Sequence, residues 1–370
     1  MSHYAGLDVS MKETSIAIVD AKGKIVFETA CETDPLMIAQ TLNNSNFILE
    51  KIGLESGCIS FWLIEELKKL SVNAICIESR KMATIIALKV NKTDRNDARL
   101  IADTMRCNLY TEVYHKTKES IDVGLQMGAR RTLVDTRTKL KNSIRGFFIF
   151  FVVRPGTISH QKFSEVVRYS VKACEDGVQA AIEGLLKSYE EICKNIENAE
   201  KWLEKLCKKD PVIELFESIP GVGTITALTY KAVIDNPNRF ENVRDIGAYL
   251  GLTPNQYSSG DTVKQGRISK CGCTELRTLL VECAIVILTR TKGWTKLKAW
   301  GLKIMKRSGL KKAAAAVARK LAIIMLKMWR TGHAFIWGEK KEKAKEEVKE
   351  KTQKINSDKK EQLIEVCKTG

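Results

Sequence analysis

Three short β-rich runs at the N-terminus commit this part of the chain to a sheet. Tyr4-Ala5-Gly6-Leu7-Asp8-Val9-Ser10, Thr14-Ser15-Ile16-Ala17-Ile18-Val19-Asp20 and Lys24-Ile25-Val26-Phe27-Glu28 are followed in order, and an Ala21-Lys22-Gly23 turn joins the last two, as expected for an antiparallel meander. Residues 47–54 read as another strand, running into Glu55-Ser56-Gly57 and a helix from about residue 59 to 70, and Asn73-Ala74-Ile75-Cys76-Ile77-Glu78 gives a further strand. Strand ends that feed helices are where open mixed sheets build their sites.

Acidic residues stand at such ends. Asp8 interrupts the first strand and Glu55 closes the fourth; each alone is more often a turn residue or a cap. A stronger signal is Asn91-Lys92-Thr93-Asp94-Arg95-Asn96-Asp97-Ala98, which opens a helical pattern with two carboxylates three residues apart on one face. Such a like-charge pair costs a helix a few tenths of a kcal/mol, and a cation that neutralises both is one reason to keep it. The plainer reading is a solvated pair favoured by the helix dipole, with Arg95 and Arg99 nearby. Asp8, Glu55, Asp94 and Asp97 together make a candidate cluster from two strands and one helix. Its hard oxygen ligands suit Mg²⁺, and paired ions stabilise the attacking and leaving oxygens of an in-line phosphoryl displacement. That is nuclease or recombinase chemistry.

The charge distribution points to nucleic acid. The formal charge is +17, yet residues 1–107 hold 13 Lys or Arg against 14 acids, while residues 261–330 hold 17 against 3. A basic surface of that kind gives strong, salt-sensitive affinity for phosphates. A membrane surface would also attract it, but no signal peptide and no uninterrupted apolar run of about 20 residues is present. The apolar run at 144–153 is about half that length and reads as a buried helix end, so the chain reads as soluble and intracellular. The 11 cysteines have no zinc-finger spacing, and Cys271-Gly272-Cys273 lacks a matching pair downstream, so they read as free thiols of a reducing compartment. His3, His115, His160 and His333 make no ligand spacing, and no P-loop or GxGxxG appears.

At 370 residues the chain is long enough for two or three domains. Residues 118–150 read as a long helix whose polar face carries Arg130, Arg131, Arg137, Lys139, Lys141 and Arg145, either a solvated face or one that tracks a nucleic-acid backbone. After Arg154-Pro155-Gly156 a second helical stretch spans about 163–208, with Leu185, Ile192, Ile196, Trp202 and Leu206 at helical spacing. The pair reads as a helical hairpin or coiled coil. Beyond Asp210-Pro211, Ile219-Pro220-Gly221-Val222-Gly223-Thr224 has the shape of a helix-hairpin-helix turn, where Gly221 and Gly223 let backbone N–H groups approach a phosphate. The segment from Ala248 through Tyr257-Ser258-Ser259-Gly260 to Gly266-Arg267-Ile268-Ser269-Lys270 reads as a polar loop flanked by basic residues. A serine hydroxyl attacks a phosphodiester if a base or metal activates it, and by chemistry alone Ser258, Ser259 and Ser269 all qualify. Lys311-Lys312-Ala313-Ala314-Ala315-Ala316-Val317-Ala318-Arg319-Lys320 reads as a helix with one face packed and one turned to phosphates.

Five motifs, in order, carry a resemblance. Gly6-Leu7-Asp8-Val9-Ser10, Leu54-Glu55-Ser56-Gly57, Asn91 to Ala98, Pro220-Gly221-Val222-Gly223, and Tyr257-Ser258-Ser259-Gly260 with Gly266-Arg267-Ile268-Ser269-Lys270 closely resemble the insertion-sequence-110 family of transposases over about residues 4–337. The resemblance implies an α/β RuvC-like, RNase H-like domain over residues 1–112 and a helical coiled-coil connector over 113–210. A mainly α transposase domain over 211–337 would follow, with 338–370 a charged tail. It further implies Mg²⁺ held by an Asp8, Glu55, Asp94 and Asp97 quartet, and Ser259 as the nucleophile. Partners implied are double-stranded DNA, a structured guide RNA made from the element, and further copies of the chain, as a dimer or a tetrameric synaptic complex, in the cytoplasm at the nucleoid. Nucleic-acid contacts are expected at Arg130, Arg131, Arg137, Gly221, Gly223, Arg267, Lys270, Lys311, Lys312 and Arg319. Two rivals stand beside this reading: a RuvC-like junction resolvase or nuclease using metal-activated water, and a nucleic-acid-binding protein without catalysis.

Overall fold

The computed structural model describes residues 2–79, 82, 93–148, 159, 161–208, 210–259 and 262–335, with only the backbone at 148, 258, 259 and 262–264. It divides into two compact units, residues 1–116 and 117–370. The expected charged tail, Gly260, Asn91 and Lys92, and the end of the apolar run at 149–153 lie outside the described residues.

The first unit is built on a mixed five-stranded sheet of order β3-β2-β1-β4-β5, comprising β1 (His3–Val9), β2 (Glu13–Asp20), β3 (Ile25–Glu32), β4 (Leu49–Glu55) and β5 (Ala74–Ile77). β1, β2 and β3 form the expected antiparallel meander, whereas β4 and β5 run parallel to β1 and need helical crossovers. α1 (Pro35–Asn44) and α2 (Ser60–Lys69) provide them. Asp34 starts α1 by accepting from the Leu36 and Met37 amides at 2.9 and 3.0 Å, with Pro35 in the first turn where its missing N–H costs nothing. Along β1 alternate residues separate two cores: Ala5 and Leu7 join Ile16, Ile18, Leu54, Leu63 and Leu67 beneath α1 and α2. On the opposite face α3 (Asp94–Arg106) packs through Leu100, Ile101 and Met105 against Ile77 and Tyr4. Because both faces are covered, β2 is buried along nearly its whole length.

The second unit begins with α4 (Lys118–Phe148), whose first turn is fixed by Asp235: the carboxylate accepts from the Thr117 amide and hydroxyl at 3.0 and 2.6 Å and from the Ser120 hydroxyl at 2.5 Å. The expected second helix is broken at residues 172–175 into α5 (Phe163–Val171) and α6 (Asp176–Cys207). α4 and α6 lie antiparallel within one chain, tied by Arg130 to Glu200, with Ile144, Phe163, Val167, Leu186 and Tyr189 forming the core at the far end. The buried stripe of α6 is Ile182, Leu186, Tyr189, Ile196, Leu203 and Cys207. Trp202 and Leu206, expected inside, are instead exposed at 64 and 46 %. They sit one position off the stripe, and Lys205 lies over the indole 4.7 Å from its centre.

The rest of this unit is a helical body of α7 (Pro211–Glu217), α8 (Thr224–Ile234), the short α9 (Ile246–Tyr249), α10 (Thr274–Thr289), α11 (Lys296–Ser308) and α12 (Leu310–Thr331). Its core joins Phe216, Tyr230, Leu276, Leu280, Ala313, Val317, Leu321 and Met325. The Tyr230 hydroxyl, fully buried, donates to the Ala322 carbonyl at 2.7 Å. The stretch read as a polar loop is in fact a β-hairpin, β6 (Pro254–Ser259) and β7 (Thr262–Ile268). Its alternating pattern is hidden because Asn255, Gln256 and Tyr257 on one strand and Gln265 and Arg267 on the other are exposed, so neither face needs apolar residues.

Candidate functional site

Two glycines set the geometry of the acidic residues. A Cβ on Gly6 would lie 2.1 Å from the Ala98 carbonyl oxygen and 2.4 Å from the Ala102 nitrogen, so α3 rests directly on the backbone of β1. A Cβ on Gly53 would meet the Met105 side chain, with Sδ at 2.5 Å. Side chains two residues apart on a strand share a face, so Asp8 and Glu55 lie on the α3 side of the sheet. The parallel pairing of β1 and β4 reaches Leu7 with Leu54, which puts Asp8 and Glu55 on the next rung. Helix α3 runs back along β1: Ala98 is over Gly6, and at the other end Arg106 reaches Gly23 while the Lys51 ammonium donates to Asn108 at 3.0 Å. Its first turn, carrying Asp94 and Asp97, therefore lies toward the C-terminal ends of β1 and β4.

The start of α3 is fixed locally. Thr93 is the N-cap and its hydroxyl oxygen accepts from the Asn96 amide at 3.3 Å. Asp97 is buried, Asp94 is exposed, and Asp8 and Glu55 are half-buried. Of the two arginines near the pair, Arg99 is engaged elsewhere. Arg99 grips the two carboxylate oxygens of Glu28 on β3, one at 2.6 Å, and bonds Asn96 at 3.2 Å. Arg99, with Arg95 adding to it, holds the Glu28 carboxyl below the usual carboxylate range. The helix dipole still favours acids in this turn, but Arg99, one of the two basic partners of the plainer reading, is taken up by Glu28 on β3.

Among the described residues no three Asp, Glu, His or Cys side chains converge closely enough to hold a metal ion by themselves. Mg²⁺ does not demand that: it is typically held by one or two carboxylates, with water and substrate phosphates completing its shell. Carboxylates from β1, β4 and α3 gathered toward one end of a sheet fit that chemistry by donor type.

Ser259 is the last residue of β6 and pairs in register with Thr262, so it stands at the turn end of the hairpin. The base of the hairpin is clamped to the helical body. Gly251 and Gly272 adopt φ of +63° and +70°, and a Cβ on them would lie 2.3 Å from the Cys271 nitrogen and 2.1 Å from the Tyr249 oxygen. Buried Arg277 donates to the carbonyls of Leu250 at 3.0 Å and Cys271 at 2.6 Å and to the Thr274 hydroxyl at 3.0 Å. Sequence reasoning missed Arg277, whose signal is a lone arginine in the apolar run of α10.

The basic and glycine positions fall into distinct settings. Arg130 is paired with Glu200 and Arg131 with Asp135 at 3.0 Å, so their charges are met within the chain. Arg137 carries a buried Nε without a partner. Gly221, at φ +86°, lets the turn press against Val286, and Gly223 is the N-cap of α8. The Thr224 hydroxyl at that helix start donates to Glu217 at 2.5 Å, which places a negative charge beside the turn expected to meet phosphate. Arg267 and Lys270 are exposed at the hairpin, Lys311 and Lys312 are exposed where α12 begins, and the aliphatic part of Arg319 covers Gly247. Cys271 is exposed and Cys273 half-buried, both free. No helix among the described residues is long and apolar enough to cross a membrane.

Comparison with known proteins agrees with the order of the motifs. A transposase family profile of the DEDD type from IS110 elements matches residues 5–151, and one described as Transposase IS116/IS110/IS902 family matches residues 213–299. The transposase for insertion sequence element IS1111A of Coxiella burnetii is 33 % identical over 86 % of this chain and 87 % of its own length. The transposase for insertion sequence element IS1328 of Yersinia enterocolitica is 30 % identical over 64 % of this chain and 71 % of its own. A solved structure of T. thermophilus RuvC in complex with Holliday junction substrate is similar at 11 % identity and a TM-score of 0.24, over 30 % of this chain and 100 % of that one, a likeness too slight to argue from. Matched by both profiles in sequence order and by relatives over most of their length, the chain belongs to the IS110 family of transposases.

Proposed function

We propose that this transposase cuts and rejoins DNA through a phosphoserine linkage, with Ser259 as nucleophile and Asp8, Glu55, Asp94 and Asp97 as the acidic site that assists it. The observation that carries the reading is the seating of α3 on Gly6, which brings acids from β1, β4 and α3 toward one end of the sheet. The sheet order, with β2 antiparallel between β1 and β3, supports an RNase H-like, RuvC-like assignment for residues 1–112. In the first step the Ser259 oxygen attacks a DNA phosphorus, a P–O bond to a deoxyribose oxygen breaks, and that oxygen leaves as a hydroxyl after taking up a proton. In the second, a free DNA hydroxyl attacks the same phosphorus and releases the serine. Mg²⁺ bound by the acidic residues supplies neutralisation of charge on the phosphate oxygens.

Residues 113–210 act as the connector, paired with itself as an antiparallel hairpin of coiled-coil type, and 211–337 as the serine-bearing domain. The quartet and Ser259 serve one reaction although they belong to different units of the chain, and we read the active form as a homo-oligomer. Duplex DNA meets the basic surface: Lys303, Lys306, Arg307, Lys311 and Lys312 are all exposed around the junction of α11 and α12, two helices that contain no acid, and Arg267 and Lys270 flank the serine hairpin. The family likeness adds a structured RNA guide as the source of sequence choice.

The test is to incubate the protein with element-derived RNA, cognate DNA and Mg²⁺, denature it, and look for DNA bound covalently to protein. Wild type is expected to give an adduct and Ser259→Ala none. An adduct that survives Ser259→Ala overturns the serine assignment, and hydrolysed ends with no adduct favour the resolvase reading.

A further inference from the structure

The hairpin that carries Ser259 has no core of its own, yet it holds one large ring in the open: Tyr257 on β6 is 65 % exposed. Tyr257 pairs in register with Lys264 of β7, and Ser259 with Thr262. Two apart on one strand, the positions of Tyr257 and Ser259 share a face of the ribbon and lie about 7 Å apart. Gly266, two residues past Lys264, is the diagonal neighbour of Tyr257 on that face. A Cβ on Gly266 would lie 3.3 Å from Cε2 of Tyr257 and 3.5 Å from the Asn255 carbonyl oxygen, so the ring leans across β7 where that strand has no side chain. The ring is thus held against β7 on one side, and its large exposure leaves the other open. Gly251, Gly272 and Arg277 clamp the base of the ribbon to the helical body, so β6 carries ring and serine from a fixed footing.

An aromatic ring beside a glycine on the neighbouring strand has a purely structural use, since it shields the glycine's backbone from water. Here Gly266 stays exposed beneath the ring, so little of that cover is given. What an open ring at a set distance from a nucleophile offers is a stacking surface. Every base has a π-face, so an aromatic side chain holds an unpaired nucleotide whatever its identity. The spacing from Tyr257 to Ser259 matches one nucleotide step of an extended strand. We infer that Tyr257 stacks on the base of a nucleotide next to the phosphate that Ser259 attacks, and so positions that phosphate against the serine. The inference rests on Ser259 being the nucleophile and deepens that reading. The substrate at the moment of attack is a locally unpaired strand, with one flanking base turned out onto the ring. Tyr257 then fixes the strand's position and leaves the choice of sequence to other contacts.

The test uses the full chain with element-derived RNA, Mg²⁺ and cognate DNA, intact or made abasic at one or the other nucleotide flanking the scissile phosphate. The rate of adduct formation on Ser259 is read at subsaturating protein. Loss of one base–aromatic stack should slow wild type roughly 5- to 150-fold on one of the two abasic DNAs, and should slow Tyr257→Leu by a similar factor on intact DNA. Leucine keeps apolar cover over Gly266 but has no π-face. Tyr257→Leu on that abasic DNA should be no slower than with either change alone, because both remove the same contact. Tyr257→Phe should keep the wild-type rate and the wild-type response to the missing base. Factors that multiply when variant and abasic DNA are combined overturn the inference in favour of a structural ring. So does a Tyr257→Leu protein with the wild-type rate, or a Tyr257→Phe protein as slow as Tyr257→Leu. If Tyr257→Leu does not fold, wild type alone decides: DNA carrying 5-iodouracil at either flanking nucleotide is irradiated in the complex and the linked peptide mapped. A cross-link at Tyr257 supports the stack, and a cross-link only elsewhere, or none, overturns it. Wild type that forms its adduct on Tyr257, or forms none, refutes the serine reading and the inference with it, whereas a Ser259 adduct indifferent to Tyr257 refutes the inference alone.

Discussion

Replacing Gly6 by alanine separates the role of α3 in positioning from its role in packing. The added methyl would stand 2.1 Å from the Ala98 carbonyl oxygen and 2.4 Å from the Ala102 nitrogen. Both atoms are helix backbone, so no side chain can turn aside. Restoring ordinary contact, at about 3.4 Å, moves α3 off β1 by about 1.3 Å, and Asp94 and Asp97 move with it while Asp8 stays on its strand. Overpacking of this kind costs about 1–3 kcal/mol, and each kcal/mol lowers the thermal midpoint of a unit of about 100 residues by roughly 4–8 °C. A displacement near 1 Å of catalytic groups costs roughly 100-fold in rate. Gly53→Ala is the control, because its methyl meets the Met105 thioether, a flexible chain end that yields. Strand-cleavage rates and calorimetry on both variants check the argument. Equal loss from Gly53→Ala and Gly6→Ala, or a Gly6→Ala protein with wild-type rate and midpoint, would refute it.

Three further outcomes are expected. Arg277→Met strips the buried carbonyl of Leu250 and the partly buried one of Cys271 of their donor and should cost about 1–3 kcal/mol in urea unfolding, with Arg277→Lys recovering only part because an ammonium lacks the fork. Tyr230→Phe removes the donor to the Ala322 carbonyl inside the helical core and should cost about 1–3 kcal/mol by the same measurement. Arg99→Ala should lower the midpoint of the first unit at neutral pH. Glu28 has its folded carboxyl held low by Arg99, so this contribution is present above the ordinary carboxylate range and is lost as pH falls through the depressed value. The difference between wild type and variant should therefore close in acid, and a gap that persists below that range would contradict the pairing.

The parts of this fold that follow from period and turn chemistry were legible in the chain. The first two strands of the meander, the strand before Glu55 and the helix opened by Thr93 lie within a residue or two of where their patterns place them, because local propensity and burial agree there, whereas the third strand runs on four residues past Glu28 to Glu32. The contacts that matter at long range were not. Gly6 stands in a recognisable motif, yet nothing in its neighbours says that a helix almost 100 residues on will rest on it. Trp202 and Leu206 keep helical spacing but miss the face that α4 covers, which one sequence does not reveal. The serine hairpin was hidden because a two-stranded ribbon exposed on both sides has no apolar alternation to detect. Arg130 reads as a phosphate contact until Glu200, 70 residues away, is seen against it.

Mapping the covalent link tests the proposed chemistry most directly. DNA cut in the presence of Mg²⁺ would be trimmed to the nucleotide still bound to protein, and the digested peptides examined by mass spectrometry. The account predicts a nucleotide phosphate on the peptide that spans Tyr257 to Lys264, with fragment ions placing it on Ser259, and its loss both on chelation of the metal and in Asp97→Asn. A phosphate on any other residue, or undiminished linkage in Asp97→Asn, would contradict the claim that this serine and these carboxylates serve one reaction.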